Sequence, residues 1–380
     1  MARFDAIVAG LGGAGSAAAY HLAKSGLSVL GLEQFETTHS RGSSHGKTRI
    51  YRTAYSEGRA YVPLSVRAQE LWHDLERASG AKIIQRTGGL FIGARTSRAV
   101  DGALASAEAF RLRHELLSPT EVESRFPQFV LAPDEVAVWD PEAGVLFPEN
   151  CIRAHSDSAA RSGAELHYRE TVENWAATSD EVVVETNRSE YRARSLVLTA
   201  GAWTSRLASD LRLPLVVERQ FVLWFPATNP QLVKPDAMPV FIWDRRPTID
   251  TYGVPDFGEG VKVGAWAGKA TPTPEDADRV LADRDAAPVR SFVETCLRGA
   301  ATRESAWESC LFTMAPDHNF LIGPHPKHAN VVLVSACSGH GFKFASAVGE
   351  VASRLVNGEM TGFDLSSFDP GRFQDPTTVR

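Results

Sequence analysis

The sequence predicts the α/β class, α+β taken over the whole chain: a parallel-sheet unit joined to a second unit built on antiparallel sheet. Three observations carry this expectation. Near the N-terminus a short apolar run enters a glycine-rich turn and then an Ala-rich helical stretch. The same order of strand, glycine turn and helix returns at about 331–356. Between 219 and 316 the pattern changes to strand-like runs such as 221–225 and 261–264, with aromatic and proline interruptions.

The bulk properties exclude several classes. At 380 residues the chain has the length of two to three domains of roughly 150 residues each. Hydrophobic residues at 43% and charged residues at 23% are ordinary globular values, which argues against disordered, collagenous and coiled-coil proteins. Lys plus Arg number 40 against 46 Asp plus Glu, a net charge of −6. That lacks the basic footprint of a nucleic-acid binder. No run approaches the roughly 18 apolar residues of a membrane span. Cys151, Cys296, Cys310 and Cys337 form neither a metal pattern nor a disulfide framework. No metal is expected, and a reducing cytoplasm is. A strand starting within the first few residues leaves no room for a signal peptide.

Taken in order, residues 6–9 read as a buried parallel strand. It runs into Gly10-Leu11-Gly12-Gly13-Ala14-Gly15, followed by a helix over about 16–24 closed by Ser25-Gly26. A second strand over 27–32 ends on Glu33. Gly10 suits the tight turn, Gly12 the close approach of backbone to a pyrophosphate, and Gly15 the packing of helix on strand. The helix start offers unpaired N–H groups and a positive dipole end to phosphate. Glu33, 18 residues past Gly15, can accept from both ribose hydroxyls and disfavours a 2′-phosphate. This is a Rossmann-like dinucleotide unit. The motif does not choose between FAD and NAD; its place at the start of the chain leans toward FAD.

The next segment, 42–52, carries His45, Lys47, Arg49 and Arg52 on a Gly/Ser-rich loop. Its plain reading is a solvated basic turn. On a helix, Arg49 and Arg52 would share a face. Two guanidiniums beside a cofactor repel unless an anion lies with them, either a substrate carboxylate or the flavin's own charge. The stretch 64–78 has an apolar stripe of Leu64, Ala68, Leu71, Trp72 and Leu75 and is core helix. Ser118-Pro119-Thr120-Glu121 predicts a capped helix start.

Strands follow over 164–167, 181–185 and 196–199, the last ending in Ala200-Gly201-Ala202-Trp203. Such a turn at a strand's carboxyl end is where open α/β sheets bind ligands, or it is an ordinary βα turn. In the second unit, helices are predicted over 274–283 and 287–297. Lys262, inside an apolar strand, is expected to point at solvent. After strand 331–335, the turn Ser338-Gly339-His340-Gly341-Phe342-Lys343 precedes a helix over 344–356. A positive helix end with Lys343 suits a reduced flavin anion, or it is a packing turn with a solvent lysine. Cys310 reads as a buried structural thiol.

Together these motifs resemble the monomeric sarcosine oxidase and N-methyltryptophan oxidase family of FAD-dependent amine oxidases, along essentially the whole chain. The most distinctive segments are 42–63 and 338–343, with 144–147, 200–203 and 309–317 in support. The resemblance implies that Cys310 carries FAD covalently as an 8α-S-cysteinyl flavin. It implies that Lys262 promotes oxygen reduction, reversing the solvent expectation, and that Arg52 and Lys343 grip a substrate carboxylate. It sets His45, Thr48 and Arg49 around the flavin ring and makes Tyr252 an active-site tyrosine. Gly13, Ser43, Val172, Gly201, Trp203, Gly339, Gly341 and Phe342 join the cofactor-binding set. Two positions depart from the family pattern: Trp266 replaces a histidine and Phe312 a tyrosine, both in the substrate cavity. A substrate larger than sarcosine is therefore expected.

The implied activity is FAD-dependent oxidation of a secondary or N-methyl amino acid to an imine that hydrolyses, with molecular oxygen reduced to hydrogen peroxide. The alternatives are a flavin dehydrogenase of a cyclic or primary amino acid with another electron acceptor, and a non-catalytic flavin-binding redox sensor. A cytoplasmic monomer is expected. Cofactor motifs near residues 10, 50, 200 and 340 predict a discontinuous FAD domain (1–85, 145–218 and 320–380), with a substrate domain in 86–144 and 219–319.

Overall fold

A computed structural model describes residues 3–245 and 249–374. The outermost residues of the expected domain bounds, 1–2 and 375–380, and residues 246–248 lie outside the described residues. The first sheet is centred on the strand Arg3–Ala9, fully buried from Ala6 onward. It pairs in parallel with Val29–Glu33 on one side and Glu190–Leu198 on the other. Parallel pairing extends to Glu165–Tyr168 at one margin and His328–Ser335 at the other. Continuous apolar strands are what a sheet covered on both faces requires. Antiparallel strands at Val172–Ala177, Val182–Thr186 and Leu321–His325 complete it.

Helices Gly13–Lys24, Tyr61–Ser79, Pro148–Arg161 and Ala345–Val356 cover one face, where Leu22, Trp72, Ala154 and Val348 pack with Ala6, Val8, Val197 and Val332. On the opposite face Ile7, Leu30, Leu196 and Leu333 pack with Val182, Val184 and Leu211. The Ser118 capping box forms as expected, with Glu121 accepting from the Ser118 amide at 2.7 Å.

The second sheet has nine strands and is antiparallel except where Val240–Arg245 runs parallel to Gly89–Ala94. Its strands come from 89–140 and 216–314. Val216–Phe225 is its longest strand, flanked along its length by the edge strand Ala306–Met314 and on its other side by Lys269–Thr271 and then Val261–Ala265. A small third sheet joins Arg49–Tyr51 and Ile84–Arg86 to Gly144–Leu146. Among the described residues no helix is long and apolar enough to cross a membrane.

Two local expectations fail. No helix forms over 274–283; one helix runs Asp283–Cys296 in place of two. Pro272 and Pro274 lack amide donors and bias the residues before them away from helical torsions. Thr273 instead closes a local turn by accepting from the Asp276 amide at 3.2 Å. Arg49 and Arg52 do not share a helical face either: Arg49 opens the strand Arg49–Tyr51 and Arg52 follows it outside any helix, although both line one cavity.

Candidate active site

One long cavity runs from the Gly10–Gly15 turn, across the carboxyl ends of the first sheet, to the inner face of the second. At its first end Gly10 holds a left-handed φ of +98°, and a Cβ there would lie 2.6 Å from the Thr199 carbonyl oxygen. A Cβ on Gly15 would lie 1.8 Å from the Gly10 carbonyl oxygen, so Gly15 faces the strand and not the cavity. Gly12 is different: a Cβ there would meet only the Ser44 hydroxyl, at 3.4 Å, and the residue lines the cavity. Gly12 has no side chain to cap the helix start; the Ser44 hydroxyl of a later loop accepts from the Gly13 amide at 3.2 Å, and Gly12, Gly13 and Ser44 all line the cavity. Glu33 accepts from the Leu11 and Phe35 amides at 2.8 and 3.1 Å. A helix start without a cap of its own, an open glycine and a fixed carboxylate together fit a diphosphate and its ribose. Gly13, Ser43, Val172, Gly201 and Trp203 line the same end.

At the other end the cavity is lined by Thr48, Arg49, Arg52, Tyr252, Lys262, Trp266, Cys310, Phe312, Gly339, Gly341, Phe342 and Lys343. Lys262 is buried, against the solvent expectation its strand alone gave and as the family resemblance implied; Val261–Ala265 is covered on both faces, so alternation gives it no wet side. Its ammonium donates to the Gly46 and Thr48 carbonyls at 2.7 Å each and to the Thr48 hydroxyl at 3.1 Å. Burial, then the Arg49 charge, lowers its pKa to about 7. Arg49 donates to the Ser43 and Thr48 carbonyls. Cys310 is a buried free thiol whose pKa burial raises. The Tyr252 hydroxyl is likewise pushed up by burial. Its ring lies across Gly264 and edge-on to Trp266 at 5.1 Å. His45 is buried beside the cavity and is not part of its lining. Its Nε2 reaches the Ser309 carbonyl at 3.0 Å, and burial drops its pKa to about 3, so it is neutral.

Arg52 is fully enclosed. Its guanidinium donates to both carboxylate oxygens of Glu57, at 2.5 and 2.6 Å, and lies 4.2 Å from the centre of the Tyr55 ring. Lys343 donates to the His340 carbonyl at 2.7 Å and to the Tyr55 hydroxyl at 3.4 Å. Burial and the neighbouring Arg52 lower its pKa to about 7. The His340 ring, its pKa lowered by burial to about 3, is neutral. Its Nε2 faces the His318 carbonyl at 3.2 Å and its Nδ1 faces the Tyr55 hydroxyl at 2.6 Å. Because a carbonyl can only accept, Nε2 carries the proton, Tyr55 donates to Nδ1, and the Tyr55 oxygen is free to accept from Lys343. The sequence reading assigned no role to Glu57, Tyr55 or His340. An Arg with a carboxylate five residues on in a loop was the available sign.

Away from the cavity, donor atoms of Asp210, His325 and His328 lie within 4.8 Å of one another. The expectation of no metal pattern rested on cysteine spacing and overlooked this trio. The Lys327 ammonium already contacts Asp210 at 3.2 Å, and the His325 Nδ1 accepts from the Lys327 amide at 3.2 Å.

The FAD dependent oxidoreductase family matches residues 5–355. The chain belongs to this family. As a family member it is an FAD-dependent oxidoreductase. It is 39% identical over 375 residues to the monomeric sarcosine oxidase of Streptomyces avermitilis, covering 97% of each chain. It is 33% identical over 384 residues to the N-methyl-L-tryptophan oxidase of Yersinia pestis, covering 98% of this chain and all of that one. Among solved structures it is similar to NikD, an unusual amino acid oxidase essential for nikkomycin biosynthesis, in its open form. That likeness has a TM-score of 0.86 at 25% identity and covers 97% of this chain and 98% of the other.

Gly12→Val should keep the fold, by circular dichroism and melting, while FAD bound per chain falls at least about tenfold. Gly15→Val should instead lower the yield of folded protein, because its clash is with backbone. FAD content that does not change in Gly12→Val would remove this end as the diphosphate site.

Proposed function

We propose that the protein oxidises a secondary or N-methyl amine that carries a carboxylate, with oxygen as acceptor and hydrogen peroxide as product. One observation carries the reading. Arg52 and Lys343 are two buried cations at this end of the cavity; Glu57 is bonded to Arg52, while the Lys343 ammonium has only neutral bonded partners, the His340 carbonyl and the Tyr55 hydroxyl. Lys343 is left without a bonded counter-ion. Buried charge of that kind is stable only when paired, and a substrate carboxylate supplies the partner. The names of the relatives, which act on N-methyl amino acids, support the same class.

Bound FAD would supply the acceptor for the two electrons of the C–H bond beside the amine nitrogen. The chain's own part is to hold that carbon in place. A carboxylate entering the cavity exchanges with Glu57 for the Arg52 fork and takes a charge-assisted bond from Lys343. Fixing the carboxylate orients the C–H bond, which is where most of the acceleration comes from. The remaining walls near this end, Trp266, Phe312 and Gly339, are apolar. A Cβ on Gly339 would lie 3.0 Å from the Trp266 ring nitrogen and 3.3 Å from the Phe312 ring. These surfaces favour a substituent larger than a methyl group, as in a cyclic or aromatic N-substituted amino acid. Lys262 sets a positive charge where oxygen is reduced, and Cys310 is the anchor for a covalent 8α linkage to FAD. Arg49 shapes the wall around the flavin ring, with neutral His45 buried behind that wall.

The composition of the two large sheets supports dividing the chain into a discontinuous FAD domain (1–85, 145–218, 320–380) and a substrate domain (86–144, 219–319). A cytoplasmic monomer completes the reading, supported by the unpaired cysteines and by relatives named as monomeric.

Under anaerobic conditions, one of a panel of amines (sarcosine, N-methyltryptophan, pipecolate, proline, primary amino acids) should bleach the flavin, and air should then yield peroxide. Bleaching without peroxide would favour a dehydrogenase; no bleaching with any amine would favour a redox sensor. Lys262→Met should slow reoxidation by roughly 100-fold and leave anaerobic reduction nearly intact. Equal losses in both half-reactions would remove its role. Acid precipitation should leave a yellow pellet, colourless in Cys310→Ala. Affinity for a non-oxidisable carboxylate should be present below pH about 7 and fall as Lys343 loses its proton above that value. Lys343→Met should bind more weakly and without this pH dependence.

A further inference from the structure

Residues 272–282 connect the strand Lys269–Thr271 of the second sheet to the helix Asp283–Cys296 and form neither strand nor helix themselves. They reach two separate stretches of the long cavity's wall, the 38–43 loop and the 200–203 turn. The Glu275 carboxylate accepts from the Trp203 indole N–H at 2.7 Å. The Arg279 guanidinium donates to the Arg41 carbonyl at 2.6 Å and to the Ser40 carbonyl at 3.3 Å. Between these two anchors Ala277 packs on the small cluster of Ala202, Val217 and Leu311. No residue of the segment lines the cavity itself. The segment therefore fastens wall to wall from outside.

Its hold is light. Pro272 and Pro274 have no amide to donate, and Glu275, Asp276, Asp278 and Val280 are exposed. Its apolar packing is limited to Ala277 and Leu281. Segments with few buried apolar contacts and exposed hydrogen bonds open locally at small cost. The walls that it joins have supports of their own: Gly42 accepts from the Leu311 amide at 3.1 Å, and Phe35 meets Trp203 edge-on at 5.4 Å. Releasing the segment leaves both in place.

We propose that residues 272–282 are a strap across the FAD channel, which unlatches at Glu275 and Arg279 to admit the cofactor and latches again once it is seated. A molecule as bulky as FAD needs the two walls to part, and the strap is what joins them. Because the strap touches the walls and not the cavity, its latching does not distinguish empty from loaded protein. A two-state element of that kind sets how fast a ligand enters and leaves without changing how tightly it is held. The proposal needs only that the chain binds FAD, and it stands apart from which amine is oxidised.

The test uses the Cys310→Ala chain, in which FAD stays exchangeable, with flavin fluorescence following FAD uptake by the apoprotein and its release on dilution. Adding Glu275→Ala and Arg279→Ala should raise the association and dissociation rate constants together, each about tenfold. The Kd should change by less than about twofold. Hydrogen exchange over 272–282 should quicken, while the strands Val216–Phe225 and Ala306–Met314 stay as protected as before. Unchanged rates overturn the strap. A rise in dissociation alone, with Kd rising in step, overturns it too and makes the segment a contributor to affinity. Faster rates with lost protection in those two strands mean general loosening and likewise overturn it. Should the double change prevent folding, Glu275→Ala and Arg279→Ala are read singly by the same paired-rate criterion.

Discussion

The Lys262 ammonium is held away from water by two carbonyls and a hydroxyl of one loop, residues 46–48, and Arg49 is held by carbonyls of the same loop. Taking an ammonium out of water costs several kcal/mol unless its protons are bonded. The loop must therefore keep its shape for the strand Val261–Ala265 to stay buried. Its shape is unusual: Gly46 and Lys47 both have left-handed φ, +95° and +66°. The loop leads into the strand Arg49–Tyr51 of the small third sheet and Lys262 lies in the second sheet, so this cage ties those two sheets together beside the cavity.

The two ends of that cavity are built by different means. The first end uses main-chain geometry, with a turn tight enough that Gly10 and Gly15 admit no side chain. It recognises charge through amides and a helix end, which ask for particular backbone torsions more than for particular side chains. The second end uses side chains brought from distant stretches: Arg52 and Glu57 from an N-terminal loop, Lys262 from the second sheet, Lys343 from the C-terminal turn. Glu57 answers Arg52 and leaves Lys343 without a bonded carboxylate, and Tyr55 with neutral His340 orients the Lys343 ammonium.

Legibility followed the same division. The Gly10–Gly15 turn, Glu33 and the Ser118 cap were readable because each rests on interactions within a few residues or on a fixed spacing. Lys262 was not, since a strand covered on both faces carries no alternation to tell wall from solvent. Arg52 was readable as a cation near the cofactor but not as one already paired, and Glu57 acquires meaning only once the loop folds back. The helix expected over 274–283 was lost to two prolines whose local cost outweighed an acidic, helix-like composition. His325 and His328 flank a tight hairpin turn beside Asp210, a meeting that separation in sequence conceals.

By itself, the sequence determined the class of fold, the dinucleotide turn and the supply of cations, because backbone torsion, helix capping and residue type are local properties. Only the tertiary structure decided which cations are buried, which carboxylate answers Arg52, and that Lys262 lines the long cavity. Those outcomes depend on desolvation and on distances between residues as far apart in the chain as Thr48 and Lys262, and such distances exist only after packing.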